Sequence, residues 1–148
     1  MLSADDLKAV PTIAATRWSG KTWLYPIDAR VYPILYNKGL YKQAGLDPDQ
    51  PPQTWDAFIA AAGKLKAANI TPLTVGLKDG FGGEMLASAF QAQVFTEGEL
   101  LQMVIDGDYK SEKWKSWIAK LAELKPYFNA DTNSINFAAG LGRFQQGK

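Results

Sequence analysis

The sequence contains no cysteine and no histidine. Those absences remove disulfides, thiolate nucleophiles, zinc-finger ligand sets and Ser-His-Asp triads together. Charge of one sign is also lacking. Sixteen Lys and Arg face fifteen Asp and Glu, so no basic excess marks a nucleic-acid surface. No apolar run nears the roughly 20 residues of a membrane span. The polar, acidic start "MLSADDLKAV" has neither the basic n-region nor the apolar h-region of a secretory signal. Read as written, such a chain stays in the cytoplasm. Missing cysteine fits either redox compartment. A metal site would need clustered carboxylates, and close pairs such as Asp5-Asp6 fall where helix starts are expected; neither a metal nor a cofactor is implied.

What is present suits one hydrophobic core, since 148 residues at 47% hydrophobic content leave a second full domain cramped. Ser3 with Asp6 begins a helix near Ala4 that runs toward Ala15, interrupted at Pro11. "SGKTW" turns the chain into strands near Lys21–Tyr25 and Val31–Tyr36. "NKGLYKQAGL" is a short helix stopped by Gly45. Thr54 caps a helix in which Trp55, Phe58, Ile59, Ala62 and Leu65 recur at helical spacing to about Ala68. Ile70–Leu77 reads as a short buried strand with Pro72 at its start. This strand–helix–strand order predicts a parallel α/β layer.

"KDGFGGE" reads as a glycine-rich loop before the apolar helix "MLASAFQAQVF". Thr96 with Glu99 forms a second capping box, opening "EGELLQMVIDG". Ser111 caps an amphipathic helix with Trp114, Trp117, Ile118, Leu121 and Leu124 on one face, ended by Pro126. The periodicity puts Trp55, Trp114 and Trp117 in the core, while Lys113, Lys115 and Lys120 form a solvated face balanced by Glu112 and Glu123. A last helix near Ser134–Gln146 is weakened by Gly140 and Gly142. Six or more helices against about three strands is few strands for a sheet, and a bare sheet edge would need a partner.

Chemistry without histidine needs paired carboxylates, as in glycosidases, and Asp28, Asp79 and Glu84 are the candidates. Solvated or ion-paired carboxylates explain them more simply. "KDGFGGE" matches no phosphate-binding motif, and Asp79 and Glu84 would repel an anion there. Neutral polar ligands fit better. Sugar sites combine flat apolar surfaces with charged groups that hydrogen-bond hydroxyls. Tyr25, Asp28, Arg30, Tyr32, Asp79 and Phe81 are such residues at strand ends or on the loop after a strand, where open α/β sheets place ligands. Core aromatics and a local Asp28–Arg30 ion pair account for the first four equally well.

The order of segments resembles a known family. "GKTWLYPIDARVYPILYNKGLYKQAGL", then "PPQTWDAFIAAAGKLKAANITPLTV", then "FNADTNSINFAAGLGRFQQGK" is similar to the extracellular solute-binding proteins of ABC sugar importers, the group that includes the maltose-binding protein. The matching positions are Gly20, Lys21 and Pro26; Tyr36, Asn37 and Lys38; Pro52, Thr54 and Trp55; Phe144, Gly147 and Lys148. The resemblance implies one lobe of a two-lobed periplasmic-binding-protein-like (type II) fold, helix-rich around a small, incomplete sheet. It divides the chain into 1–19, the tail of the first lobe; 20–37, hinge-crossing strands; and 38–148, a truncated second lobe.

It further implies a non-catalytic sugar-binding role for an extracytoplasmic, periplasmic or membrane-tethered parent working with an ABC permease. Asp28, Arg30 and Asp79 would bond hydroxyls, and Phe81 and Tyr32 would stack on a ring. Arg30 departs from the carboxylate the family often holds there. Isolated, such a lobe would bind sugar weakly. The alternative is a folding or assembly unit that recruits a missing first lobe, or a second copy, through its open sheet edge.

Overall fold

Short polar side chains place some of the helix starts and glycines others. The computed structural model describes residue 5 and residues 17–24, 31–96 and 98–147, and these divide into two units, Met1–Tyr32 and Pro33–Lys148. In the first unit, β1 (Arg17–Trp18) pairs antiparallel with β2 (Lys21–Thr22). Ser19 and Gly20 between them both have positive φ, 49° and 75°, the signature of a type I′ hairpin turn, whose twist matches that of its strands. Of the expected Lys21–Tyr25 strand, Lys21–Thr22 is strand and Trp23–Leu24 is not, while Tyr25 lies outside the described residues. The expected helix from Ala4 lies outside the described residues apart from Asp5, which is helical.

The second unit is built on caps. Asn37 Oδ1 accepts from the N–H of Gly39 and Leu40 at 2.9 and 3.1 Å to start α1 (Lys38–Gln43). That helix closes as expected around Gly45: Leu46 N–H reaches Tyr41 O at 2.9 Å and Gly45 N–H reaches Lys42 O at 3.1 Å, which is a Schellman motif. Thr54 Oγ1 accepts from Ala57 N–H at 3.2 Å and starts α2 (Trp55–Ala67). The same closing motif ends it, with Asn69 at φ +59° supplying the left-handed residue and Ile70 N–H on Leu65 O at 3.0 Å.

Next come α3 (Phe81–Gln91) and α4 (Glu99–Asp106). Then α5 (Glu112–Glu123) is capped by Ser111 Oγ on Trp114 N–H at 3.3 Å. A 3-10 turn at Lys125–Tyr127 carrying Pro126 stops it. The last helix is α6 (Phe137–Gln145), capped by Asn136 Oδ1 on Ala139 N–H at 2.9 Å.

Two boundaries differ from the sequence reading. The first turn of α3 takes Phe81-Gly82-Gly83 out of the expected loop, because Gly80 adopts φ +77° as its N-cap and lets the helix begin early. In contrast, α4 begins late, after Gly98. Its capping box delivers the reverse half, with Thr96 N–H donating to Glu99 Oε2 at 2.7 Å.

The core joins α2, α3 and α5 through buried Trp55, Phe90 and Leu124, with Phe58, Ile59, Leu73, Leu86, Leu121 and Phe128 packed against them. Trp55 meets Phe90 edge-to-face at 5.2 Å, a favoured arrangement of ring quadrupoles. Its Nε1–H donates to Glu123 Oε2 at 2.7 Å, which keeps a polar indole atom satisfied inside the core. Lys120 Nζ lies 4.8 Å from the same ring's centroid. Trp114 and Trp117 are half-buried and form their own aromatic group with Phe95 and Tyr109. That group lies outside the central core, a correction to the periodicity argument. Trp117 Nε1 is buried without a hydrogen-bond partner among the described residues. Of the expected solvated lysine face, exposed Lys115 pairs with Glu112 at 2.7 Å and exposed Lys113 with Glu99, whereas Lys120 is half-buried over Trp55 and Glu123 is bonded to that indole.

The expected sheet is nearly absent among the described residues. Helix predominates, and the only features besides β1 and β2 that count as strand pairing are the single parallel partners Leu73 and Phe128. Residues 31–37 are neither helix nor strand. Pro33 removes a ladder donor there, and Val31, Ile34 and Leu35 are exposed, so the β-branched composition finds no surface to pack on.

Candidate functional site

Residues 70–78 make one isolated parallel bridge, at Leu73, and are then held by side chains. Leu73 N–H donates to Tyr127 O at 3.0 Å, and Asn129 N–H to Leu73 O at 3.1 Å. Beyond this bridge, buried Asn129 and Thr132 replace the ladder. Asn129 Oδ1 accepts from Val75 N–H at 3.0 Å, and Thr132 Oγ1 donates to Val75 O at 2.8 Å. Backbone pairing resumes with Leu77 N–H on Thr132 O at 2.8 Å and Lys78 N–H on Ile135 O at 3.0 Å. Every second residue therefore keeps a partner, though the facing chain turns too sharply to be a strand.

The facing chain is itself braced. Asp131 takes two N–H groups from Arg143 of α6, both at 2.5 Å, and accepts from Asn129 Nδ2 at 3.0 Å. Arg143 first, then Asn129, hold the Asp131 carboxyl below the usual carboxylate range. A bidentate guanidinium fixes orientation as well as distance.

Three glycines let this segment lie directly against two helices. A Cβ on Gly76 would sit 1.9 Å from Asn136 O, and one on Gly82 of α3 would sit 2.0 Å from Gly76 O. One on Gly140 of α6 would meet Gly76 N at 2.7 Å. None of these distances admits a side chain, and in each case the obstacle is backbone. Gly140, expected only to weaken its helix, is instead what allows α6 to approach.

Immediately after the glycine seam comes the candidate site. Gly80 N–H closes a turn on Leu77 O at 3.1 Å, which presents Asp79 to solvent. Asp79 Oδ2 accepts from Phe137 N–H, the first residue of α6, at 3.2 Å. A carboxylate at a helix N-terminus is favoured by the orphan N–H groups and the helix dipole. Phe81, the first residue of α3, meets Phe137 edge-to-face, with centroids 5.1 Å apart and ring planes at 88°. The chemistry on offer is an acceptor-only carboxylate beside two perpendicular aromatic rings.

Of the five expected site residues, this corner brings together Asp79 and Phe81. Asp28 and Arg30 lie outside the described residues, and half-buried Tyr32 belongs to the other unit. Of the candidate acids, exposed Glu84 lies in the first turn of α3. Groups of three or more acidic residues placed to hold a metal ion are absent among the described residues. Phe137 and the Asn129–Asp131–Arg143 brace were not anticipated; the only available sign was an asparagine before an apolar residue at the expected helix start.

Comparison with known proteins defines the class. The chain matches the family of bacterial extracellular solute-binding proteins over residues 2–148, and it belongs to that family. Among its relatives is the sn-glycerol-3-phosphate-binding periplasmic protein UgpB of Shigella dysenteriae, 34% identical over 91 residues, 60% of this chain and 20% of the relative. UgpB of Salmonella typhimurium is 33% identical over 94 residues, 62% and 21% of the two chains. UgpB of Yersinia pestis is 35% identical over 91 residues, 60% and 20%. This chain thus spans about a fifth of the length of the curated relatives it matches. No solved structure gives a significant match.

Proposed function

We propose that the chain forms part of the ligand-binding body of an ABC importer's solute-binding protein, working outside the cytoplasm with a permease, and performs no catalysis. Residues 38–148 supply one lobe of a type II fold, 20–37 the hinge crossing and 1–19 the tail of the other lobe. The observation that carries this reading is the Asp79–Phe81 corner at the starts of α3 and α6, within a chain of this family. The ligand is a small polyol or sugar. The relatives' names, sn-glycerol-3-phosphate-binding, narrow it to a polyol bearing a phosphate. Arg30 then gains a purpose, because a guanidinium matches phosphate oxygens bidentately. Asp28 and Asp79 take hydroxyls, and Tyr32 and Phe81 pack against the carbon chain.

The test is calorimetry of the chain with sn-glycerol 3-phosphate and, separately, maltose. Residues 1–148 supply one lobe's share of the contacts, so the expected dissociation constant is millimolar or weaker. Micromolar binding would refute the single-lobe account. Tighter binding of maltose than of the phosphate ester would return the ligand to a neutral sugar.

A second reading, pairing with a complementary chain or a second copy, is favoured by the exposed apolar residues Val31, Ile34 and Leu35, at 84%, 49% and 63% exposure. Light scattering that shows a monomer at high concentration removes the self-pairing form of it.

A further inference from the structure

Phe81 and Phe137 take no part in the core formed around Trp55, Phe90 and Leu124. Each is instead the first residue of a helix. Phe81 is 42% exposed and Phe137 half-buried, so two large rings are placed where burial alone gives them little. Their contact sets the two ring planes at 88° to one another with centroids 5.1 Å apart. Asp79 stands beside it with its oxygens divided. Oδ2 caps Phe137 N–H at 3.2 Å, while Oδ1 accepts no hydrogen bond among the described residues. An ionised carboxylate can only accept, so the second oxygen is complementary to a hydroxyl donor.

We infer that Phe137 is a second ligand-contacting ring, and that Phe81, Phe137 and Asp79 Oδ1 together hold the carbon end of a polyol, C–H groups on the rings and a hydroxyl on the carboxylate. This rests on the solute-binding reading above and adds an orientation to it. The carboxylate repels a phosphate, so a phosphorylated ligand lies with its phosphate directed away from this corner. Asp79 also positions what it neighbours, since the oxygen that caps α6 fixes the backbone of the residue carrying the second ring.

The experiment is a titration of the full chain with sn-glycerol 3-phosphate, and in a separate arm with glycerol, followed by amide chemical shifts. These register binding on the order of tens of millimolar, the range a partial contact set allows. Wild type, Phe81→Leu and Phe137→Leu are compared, leucine keeping apolar bulk so that melting midpoints confirm folding. The expected result is saturable shifts at residues 79–83 and 136–139, with each leucine variant binding about 5-fold more weakly, as loss of an aromatic contact predicts. Unchanged affinity in Phe137→Leu alongside weakened Phe81→Leu overturns the role of Phe137 and leaves the solute-binding reading standing. No saturable shift in wild type with either probe overturns both.

Discussion

The glycine seam at 76–82 and the helix α4 solve the same problem, attachment to a neighbour, in opposite ways. At the seam the segment touches α3 and α6 through backbone atoms, and glycines 76, 82 and 140 leave no room for a Cβ. By contrast, α4 has no buried residue, and Leu101, Val104 and Ile105 remain substantially exposed. Close backbone approach tolerates almost no variation, whereas an amphipathic helix riding on a surface tolerates much. The seam carries the candidate site and α4 does not, so precision has been concentrated where Asp79, Phe81 and Phe137 must meet.

Substitutions sharpen that contrast, and the largest effect belongs to the seam. Gly76→Ala drives a Cβ into Asn136 O and should cost at least about 3 kcal/mol, the upper end for overpacking against atoms that cannot turn aside; chemical denaturation measures it. An undisturbed midpoint would show that the backbones separate freely and that the seam is loose. Leu124→Ala empties a large side chain that is fully buried and should cost about 3 kcal/mol. Trp55→Phe removes the hydrogen bond to Glu123 and the Lys120 contact while keeping a ring against Phe90, for a loss of about 1.5 kcal/mol.

Acid separates the two regions by a different route. Hydrogen bonds from Lys113 and Thr96 lower the Glu99 carboxyl of α4 to about 2, and Arg143 lowers that of Asp131 at the brace. Both are depressed on folding, so their stabilisation is complete above the ordinary carboxylate range and is lost as pH falls through the folded values. A stability profile should be flat from pH 7 to about 5 and fall below about 4. Asp131→Asn and Glu99→Gln each flatten the acid limb. Both should also lower stability at neutral pH, where each carboxylate keeps its partners: Lys113 and Thr96 for Glu99, Arg143 and Asn129 for Asp131. The smallest effect is expected on α4 itself, where Val104→Ser should stay within about 0.5 kcal/mol.

Local signals were legible wherever the cause was local. Thr54, Ser111 and Pro126 act on backbone groups within four residues, so their helix boundaries followed from sequence, as did the closure at Gly45. Trp55 as core followed from helical spacing. The segment 70–77 reads as a strand from composition, yet Asn129 and Thr132, more than fifty residues on, replace its ladder. Gly140 looks like a helix defect until Gly76 is placed against it. Asp79 was legible as a polar residue at a strand end, whereas its capping of α6 depends on a residue 58 positions away. Residue type announces what a group can do; only the fold says which partner it meets.

The seam has the geometry of a fulcrum. Gly140 and Phe137 are three residues apart on α6, about 4.5 Å along its axis and on one face. The point where α6 bears on Gly76 and the ring it presents to Phe81 therefore lie on the same turn of helix. A tilt of α6 about its glycine contact swings Phe137 directly and changes the opening of the aromatic corner. Bulk added at Gly140 should thus be felt twice, as lost stability and as an altered angle between two rings that the substitution never touches.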